Sequence, residues 1–131
     1  MDRLQQVTQT YETARNLLRS LLMRWQSGEL NERQVHEEAE RIWMRGSPWR
    51  ELPDDHPQSI VAEVARLLDS LNSEWVTAED APAILLFLDT STGNETRAWS
   101  SWRTYWNHVD FSSRKCRLES NPYYAKAGPF A

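Results

Sequence analysis

The chain has a single cysteine and no long run of apolar residues. Its one cysteine, Cys116, excludes an internal disulfide framework and cannot form a cysteine-based zinc site by itself. No run of apolar residues approaches the roughly 20 that a helix needs to cross a bilayer. The N-terminal stretch MDRLQQVTQTYETARNLL is too polar for a signal peptide or a membrane anchor. We therefore expect a cytoplasmic protein that does not bind membranes.

Glycine and proline are also scarce, with four and six residues among 131. This low content, together with 40% hydrophobic and 26% charged residues, is typical of a globular chain without long disordered stretches. The length corresponds to one domain that can bury a sizeable core. Seven tryptophans are the unusual feature of the composition.

Apolar residues near the N-terminus recur at alternating spacings of three and four. They are Leu4, Val7, Tyr11, Ala14, Leu18, Leu21 and Trp25. This spacing predicts one long amphipathic helix over about 3–26, which Gly28 ends. Asn31 and Gln34 form a capping-box pattern that begins a second helix over about 32–45. The short link between the two predicts a helical hairpin.

Three further helices are predicted, over about 57–72, 81–89 and 95–109. The apolar run 83–88 is short enough to be a buried strand instead, but a lone strand has no partner for its hydrogen bonds, so a helix is favoured. Residues 110–131 show no period and are expected to form an irregular arm on the body. The prediction is an all-α, single-domain bundle of about five helices spanning 1–131.

The segment AWSSWRTYWNHVD, residues 98–110, has two interpretations. On a helix, Trp99, Trp102, Tyr105 and Trp106 share one face with apolar neighbours, which favours packing in the core. A surface platform for a ligand would instead need its rings on the solvent side with basic residues between them. The alternative prediction is that some of these rings line a ligand pocket between this helix and the arm. Its predicted lining residues are Trp99, Trp102, Tyr105 and His108.

Motifs for catalysis and cofactor binding are missing. The sequence has no glycine-rich phosphate loop and no nucleophile elbow, so no catalytic residue and no cofactor is predicted. His36 and Glu40 lie on one helical face at a spacing that can begin a metal site, but no third ligand is evident. A solvated helix face is the favoured interpretation, and no metal is predicted.

Charge is distributed unevenly along the chain. Residues 1–50 carry a net charge of +1, residues 51–95 carry −9, and residues 96–131 carry +4. An acidic surface repels nucleic acid and attracts basic proteins, so we expect a basic protein partner and no direct binding of nucleic acid. The predicted partner-binding residues are Glu51, Asp54, Asp55, Glu74, Glu79 and Asp80. Alternatively, these acids pair with arginines of the same chain.

The order of the elements resembles bacterial immunity proteins of the colicin D type. A helical hairpin is followed by SIVAEVARLLDSLNSEW and the acidic TAEDAP, and the resemblance covers about residues 15–90. Those proteins are small, acidic and mostly helical, and they neutralise a basic nuclease toxin by masking its active site. The resemblance implies the same role here, but no individual residue is carried over from the family.

Three functional hypotheses follow from the sequence. The leading one is a non-enzymatic protein-binding module, with an immunity or inhibitor protein as its most specific form. The competing one is a small enzyme or ligand-binding domain that uses the aromatic pocket. The third is a structural subunit or homodimer built on an exposed part of the first helix's apolar stripe.

Overall fold

The computed structural model describes residues 3–45 and 52–125 of the chain, with side chains from 11 to 42 and from 52 to 124. The helices are α1 (Arg3–Gln26), α2 (Glu32–Arg45), α3 (Ser59–Asp69), α4 (Ala81–Leu88), α5 (Glu95–Asn107), α6 (Phe111–Leu118) and α7 (Pro122–Ala125). No strand occurs in these two ranges, which confirms the all-α class, and residues 83–88 are helical. Within the same ranges, no helix combines the length and the apolarity that crossing a bilayer requires.

The α1–α2 hairpin forms from local signals. Gly28 adopts a φ of +85°, a left-handed conformation that glycine accepts without steric cost at a helix C-terminus. The side chain of Asn31 accepts the backbone N–H of Gln34, and the side chain of Gln34 accepts the backbone N–H of Asn31, both at 2.9 Å. The predicted capping box is therefore present and fixes the start of α2.

The core lies where α1 packs against α2, α3 and α4. From Tyr11 onward the predicted α1 stripe is buried, whereas the side chains of Leu4 and Val7 lie outside the described residues. The largest side chains with less than 2% exposure include Leu18, Leu22, Val35, Ile60, Val64, Leu68, Ile84 and Leu88. In the described part of α1, the large apolar side chains left exposed are Leu17 and Met23, which limits what a homodimer could use there.

The turn after α3 holds a tryptophan in an unusual backbone conformation. Trp75 has a φ of +56°, where glycine is the usual residue at a helix C-terminus. The backbone N–H of Val76 donates to the carbonyl of Leu71 at 3.1 Å and closes the turn. The Trp75 ring stacks on Tyr124, with ring centroids 5.9 Å apart. This contact offsets part of the backbone strain.

Helix α5 packs on α3 and α4 with its tryptophans pointing toward the body. Trp102 is 5% exposed and stacks on Phe87 of α4, with ring centroids 4.1 Å apart. Trp99 meets the same phenylalanine edge-on, at 5.2 Å. The core interpretation is therefore confirmed for Trp102, whereas Trp99, Tyr105 and Trp106 are half-buried.

The sequence predicts an irregular C-terminal arm, but the structure has two helices in this part of the chain. Residues 111–118 form α6 and residues 122–125 form α7, while residues 126–131 lie outside the described part. The side chain of Asp110 accepts the backbone N–H of Ser113 at 3.0 Å and begins α6. A run of eight residues is too short to show a clear apolar period, and the buried member of α6 is a charged residue, Arg114.

Candidate functional site: a groove between α3 and α5

Four of the predicted partner-binding carboxylates are paired with arginines of the same chain, and three of these pairs lie at the surface. Glu74 contacts Arg66 at 3.1 Å, and Glu79 contacts Arg117 at 2.6 Å. Asp54 forms an ion pair with Arg103. These three carboxylates remain on the surface, so each pair is exposed to solvent and to a competing cation.

The remaining predicted carboxylates differ in their surroundings. Asp55 is exposed and has no ion pair among the described residues, while Glu51 lies outside them. The prediction is wrong for Asp80, which cannot contact a partner. Its exposure is 0%, and its carboxylate accepts two hydrogen bonds from Arg114. The sequence does not distinguish the buried Asp80 from the exposed carboxylates, because the basic partner of Asp80 lies 34 positions away in the chain.

A groove of about 420 Å³ runs between α3 and α5 and ends at Phe111 of α6. We name it the α3–α5 groove, and the residues that determine its chemistry are Glu63, Arg66, Glu74, Trp99, Trp102 and Trp106. Its volume falls within the range of about 300–1,000 Å³ that is usual for ligand sites. The groove combines one predicted partner-binding carboxylate with two of the predicted pocket tryptophans.

Two carboxylates in this groove share one guanidinium group. Arg66 donates to Glu63 at 2.7 and 3.2 Å and to Glu74 at 3.1 and 3.4 Å. The hydrogen bond with Glu63 is the largest influence on Arg66 and raises its pKa above the ordinary value. Because two negative charges face one positive charge, the cluster carries a net charge of −1 at neutral pH.

The opposite wall of the groove consists of indole rings. The Nε1–H of Trp99 donates to Ser59 Oγ at 3.0 Å, and that of Trp102 donates to Glu63 Oε2 at 3.3 Å. The guanidinium carbon of Arg103 lies 5.3 Å from the centre of the Trp99 ring, within the distance of a cation–π contact. The wall therefore already holds one cation of the chain itself against an indole face.

The indole N–H of Trp106 and the side-chain amide of Asn107 are available to a ligand. The Trp106 ring is half-buried between Trp102 and Phe111, at centroid distances of 5.3 and 6.2 Å. Within the described ranges, its indole N–H has no acceptor and the side-chain amide of Asn107 has no hydrogen-bond partner. Both residues line the α3–α5 groove, so a donor and an amide are free to bind a ligand there.

The other two predicted pocket residues lie elsewhere. Tyr105 lines a second groove of about 480 Å³ between α4 and α5, where Leu86 is 78% exposed. Its hydroxyl donates to Asp80, and burial, followed by this hydrogen bond, raises the pKa of Tyr105. His108 is exposed, with its Nδ1 2.7 Å from the carbonyl oxygen of Thr104, and it lines neither groove. Trp102 lines both grooves, so it meets Tyr105 in the α4–α5 groove and Trp99 in the α3–α5 groove, while His108 joins neither.

Glu63 and Arg66 are functional candidates that sequence reasoning missed. Their spacing of three residues on a helix is typical of an exposed ion pair and gives no sign of a site. Their position becomes significant only because the indole of Trp102, 39 residues away, donates to Glu63. That contact depends on how α5 packs on α3.

Comparison of the chain with models of protein families, with curated protein sequences and with solved structures finds no match.

Proposed function

We propose that the chain is a non-enzymatic protein-binding module whose α3–α5 groove receives an arginine or lysine side chain of a basic partner. The observation that carries this proposal is that Glu63 and Glu74 line the same groove as Trp99, Trp102 and Trp106. Carboxylates attract a cation by charge, and indole faces attract it through their quadrupole. One predicted partner-binding carboxylate, Glu74, thus lines the same groove as two predicted pocket residues, Trp99 and Trp102.

The charge of the groove favours a cation over an anion. The cluster of Glu63, Arg66 and Glu74 has a net charge of −1, and the Arg103–Asp54 pair at the rim is neutral. A phosphate or carboxylate ligand would meet this net negative charge. An ammonium or guanidinium group would complete a balanced cluster of two carboxylates and two cations.

The partner's cation is not blocked by the chain's own arginines. The side chains of Arg66 and Arg103 are 46% and 57% exposed, and ion pairs at such positions stabilise a protein by only about 0–1 kcal/mol. Rearranging one of these exposed ion pairs to admit an incoming cation therefore costs little.

The free donor groups favour a polypeptide over an isolated cation. The indole N–H of Trp106 can donate to a backbone carbonyl of the partner, and the Asn107 amide can both donate and accept. A peptide segment with one basic side chain in the groove would pair with the carboxylates and would also provide hydrogen-bond partners for the indole N–H and the amide. Tryptophan and arginine are also the residue types that contribute most at protein interfaces.

The resemblance to colicin D-type immunity proteins gives this proposal its most specific form. In that form the partner is a basic nuclease domain, and the groove pairs with arginines or lysines that otherwise hold the phosphates of its substrate. An adjacent gene encoding a basic nuclease would identify the partner to test. The chain would then abolish nuclease activity at equimolar concentration.

The general proposal is tested with a fluorescein-labelled arginine-rich peptide, its lysine-rich counterpart and an acidic peptide of equal length, followed by fluorescence anisotropy. We expect binding of both basic peptides, weaker binding at high salt, and no binding of the acidic peptide. Glu74→Gln should weaken binding about threefold to fivefold, since it removes one partly exposed carboxylate. Trp106→Leu should weaken it by a similar factor through loss of the π face and the N–H.

The matched control is Glu119→Gln, which removes an exposed carboxylate beyond the end of α6 and away from the groove. It should change affinity by less than about twofold, since only long-range charge is altered. Equal losses in the Glu119 and Glu74 variants would mean that the peptides bind to overall negative charge, and the groove proposal would be wrong.

A further inference from the structure

Three metal-ligating side chains converge between α2 and α3, on a surface that does not include the α3–α5 groove. His36 and Glu40 are one helical turn apart on α2, and Asp69 is the last residue of α3. One ligand atom from each lies within 4.8 Å of the others. The third ligand that the sequence does not reveal is thus supplied by the neighbouring helix.

We propose that His36, Glu40 and Asp69 bind a divalent transition-metal ion, with zinc as the best match. One imidazole nitrogen and two carboxylate oxygens form a mixed donor set, and imidazole favours zinc over magnesium or calcium. Three protein ligands leave a fourth tetrahedral position for water or for a ligand from another molecule. The proposal is independent of the α3–α5 groove and of any protein partner.

A contact outside the cluster orients the histidine as metal sites require. The Nδ1 atom of His36 lies 2.6 Å from the hydroxyl oxygen of Tyr123 on α7, which leaves Nε2 as the nitrogen for the metal. Metal-binding histidines generally use their second ring nitrogen to donate a hydrogen bond, and this fixes the tautomer and the ring plane. With zinc on Nε2, Nδ1–H donates to Tyr123. The two rings also meet edge-on, with centroids 5.9 Å apart.

The local charge also favours a cation. Among the described residues, neither Glu40 nor Asp69 has an ion pair, whereas nine other acids are paired with arginines. A bound cation would be the positive partner that both carboxylates lack among these residues.

The distances require only side-chain adjustment. Zinc–nitrogen and zinc–oxygen bonds of about 2.0–2.1 Å place tetrahedral ligand atoms about 3.3 Å apart. The three atoms must therefore approach one another by at most about 1.5 Å, which rotation of the exposed Glu40 and the half-buried Asp69 can provide. The ion would link α2 to α3 directly and α7 to both through Tyr123.

The test is isothermal titration calorimetry of the tag-free full chain with zinc chloride and, separately, magnesium chloride. We expect one zinc ion per chain, no detectable heat with magnesium, and a higher melting temperature in zinc. His36→Ala and Asp69→Asn should each raise the Kd for zinc at least tenfold, and Tyr123→Phe should raise it about tenfold through loss of the outer hydrogen bond. Glu37→Gln, which removes a neighbouring exposed carboxylate of α2, should leave the Kd unchanged.

Folding of the variants is verified by circular dichroism. Asp69→Asn is the more secure of the two, because asparagine has nearly the same size and Asp69 has no ion pair among the described residues that the change would break. Absence of zinc binding in the wild-type chain would overturn the proposal, as would zinc binding of equal strength in the folded Asp69→Asn variant. Equal affinity for magnesium would show simple charge attraction and would overturn it as well. Glu74→Gln should bind zinc normally, which separates this result from the outcome for the groove.

Discussion

Arg114 of α6 donates two hydrogen bonds, of 2.7 and 3.1 Å, to the buried carboxylate of Asp80, which lies 34 positions earlier in the chain. The same guanidinium group donates to the carbonyl of Trp75 at 3.1 Å, and the carboxylate accepts the backbone N–H of Thr77 at 2.9 Å. The pair therefore links the C-terminal arm to residues 75–80, which precede α4. It serves the fold, although its carboxylate belongs to the most acidic part of the sequence.

Replacing Arg114 is expected to destabilise the chain strongly. In an Arg114→Leu variant, the carboxylate of Asp80 keeps 0% exposure but loses its cationic partner. Breaking a buried ion pair in this way typically costs about 3–5 kcal/mol. Urea denaturation followed by circular dichroism measures the change in the free energy of unfolding.

Lys115→Leu is the matched control, since it removes an exposed positive charge from the adjacent position of α6. We expect its effect to stay within about 0.5 kcal/mol. The double variant Asp80→Asn/Arg114→Leu should recover part of the loss, because no charge remains buried. A loss below about 1 kcal/mol in Arg114→Leu would contradict the role assigned to the pair.

The left-handed conformation of Trp75 predicts an unusual order of stability among its variants. Trp75→Gly and Trp75→Val both lose the stacking on Tyr124, but only glycine accepts a φ of +56° without strain. The glycine variant should therefore be more stable than the valine variant by about 1–2 kcal/mol. Thermal unfolding of the two proteins side by side measures this difference, and a more stable valine variant would show that the turn adopts another conformation.

Tyrosine ionisation should limit stability at high pH. Burial is the main cause that raises the pKa values of Tyr105, Tyr123 and Tyr124 in the folded chain. The neutral form is the one that the fold prefers, so the stabilisation is complete below the unfolded pKa of about 10 and declines as the pH rises above it. We expect the free energy of unfolding to decrease with pH above about 10.

The measurement for this prediction combines ultraviolet absorbance of tyrosinate with circular dichroism across the alkaline range. Ionisation of the buried tyrosines should coincide with loss of helix. Tyr124→Phe should reduce the slope of stability against pH, because Tyr124 is fully buried with its hydroxyl bonded to the carbonyl of Val76. Tyrosinate that forms with an ordinary pKa while the helices remain intact would refute this account.

Local signals explain which parts of the fold could be predicted from the sequence. The α1–α2 hairpin follows from an apolar period, one glycine and one capping box, all within a few residues of one another. The helix at 81–88 followed from the absence of a second strand to pair with. By contrast, α6 buries a charged residue, Arg114, so its sequence lacks the apolar face that reveals a helix.

The site could be predicted only in part, because its contacts connect distant segments. The role of Asp80 depends on Arg114, and the third ligand of the proposed metal site, Asp69, meets His36 only after α2 packs on α3. Charge counting therefore located the acidic region but could not separate its exposed carboxylates from the buried one. The tryptophan spacing identified the inward face of α5, but not which rings remain open along a groove.

The most direct test of the proposed function is a ¹H–¹⁵N NMR titration of the indole N–H signals with an arginine-rich peptide. Each signal is assigned through a single Trp→Phe variant. The account predicts that the signals of Trp99 and Trp106 shift progressively and saturate, whereas that of Trp25, buried in the core away from the groove, stays in place. Binding that leaves the Trp99 and Trp106 signals unmoved would contradict the account, because the partner's cation would then be held elsewhere on the surface.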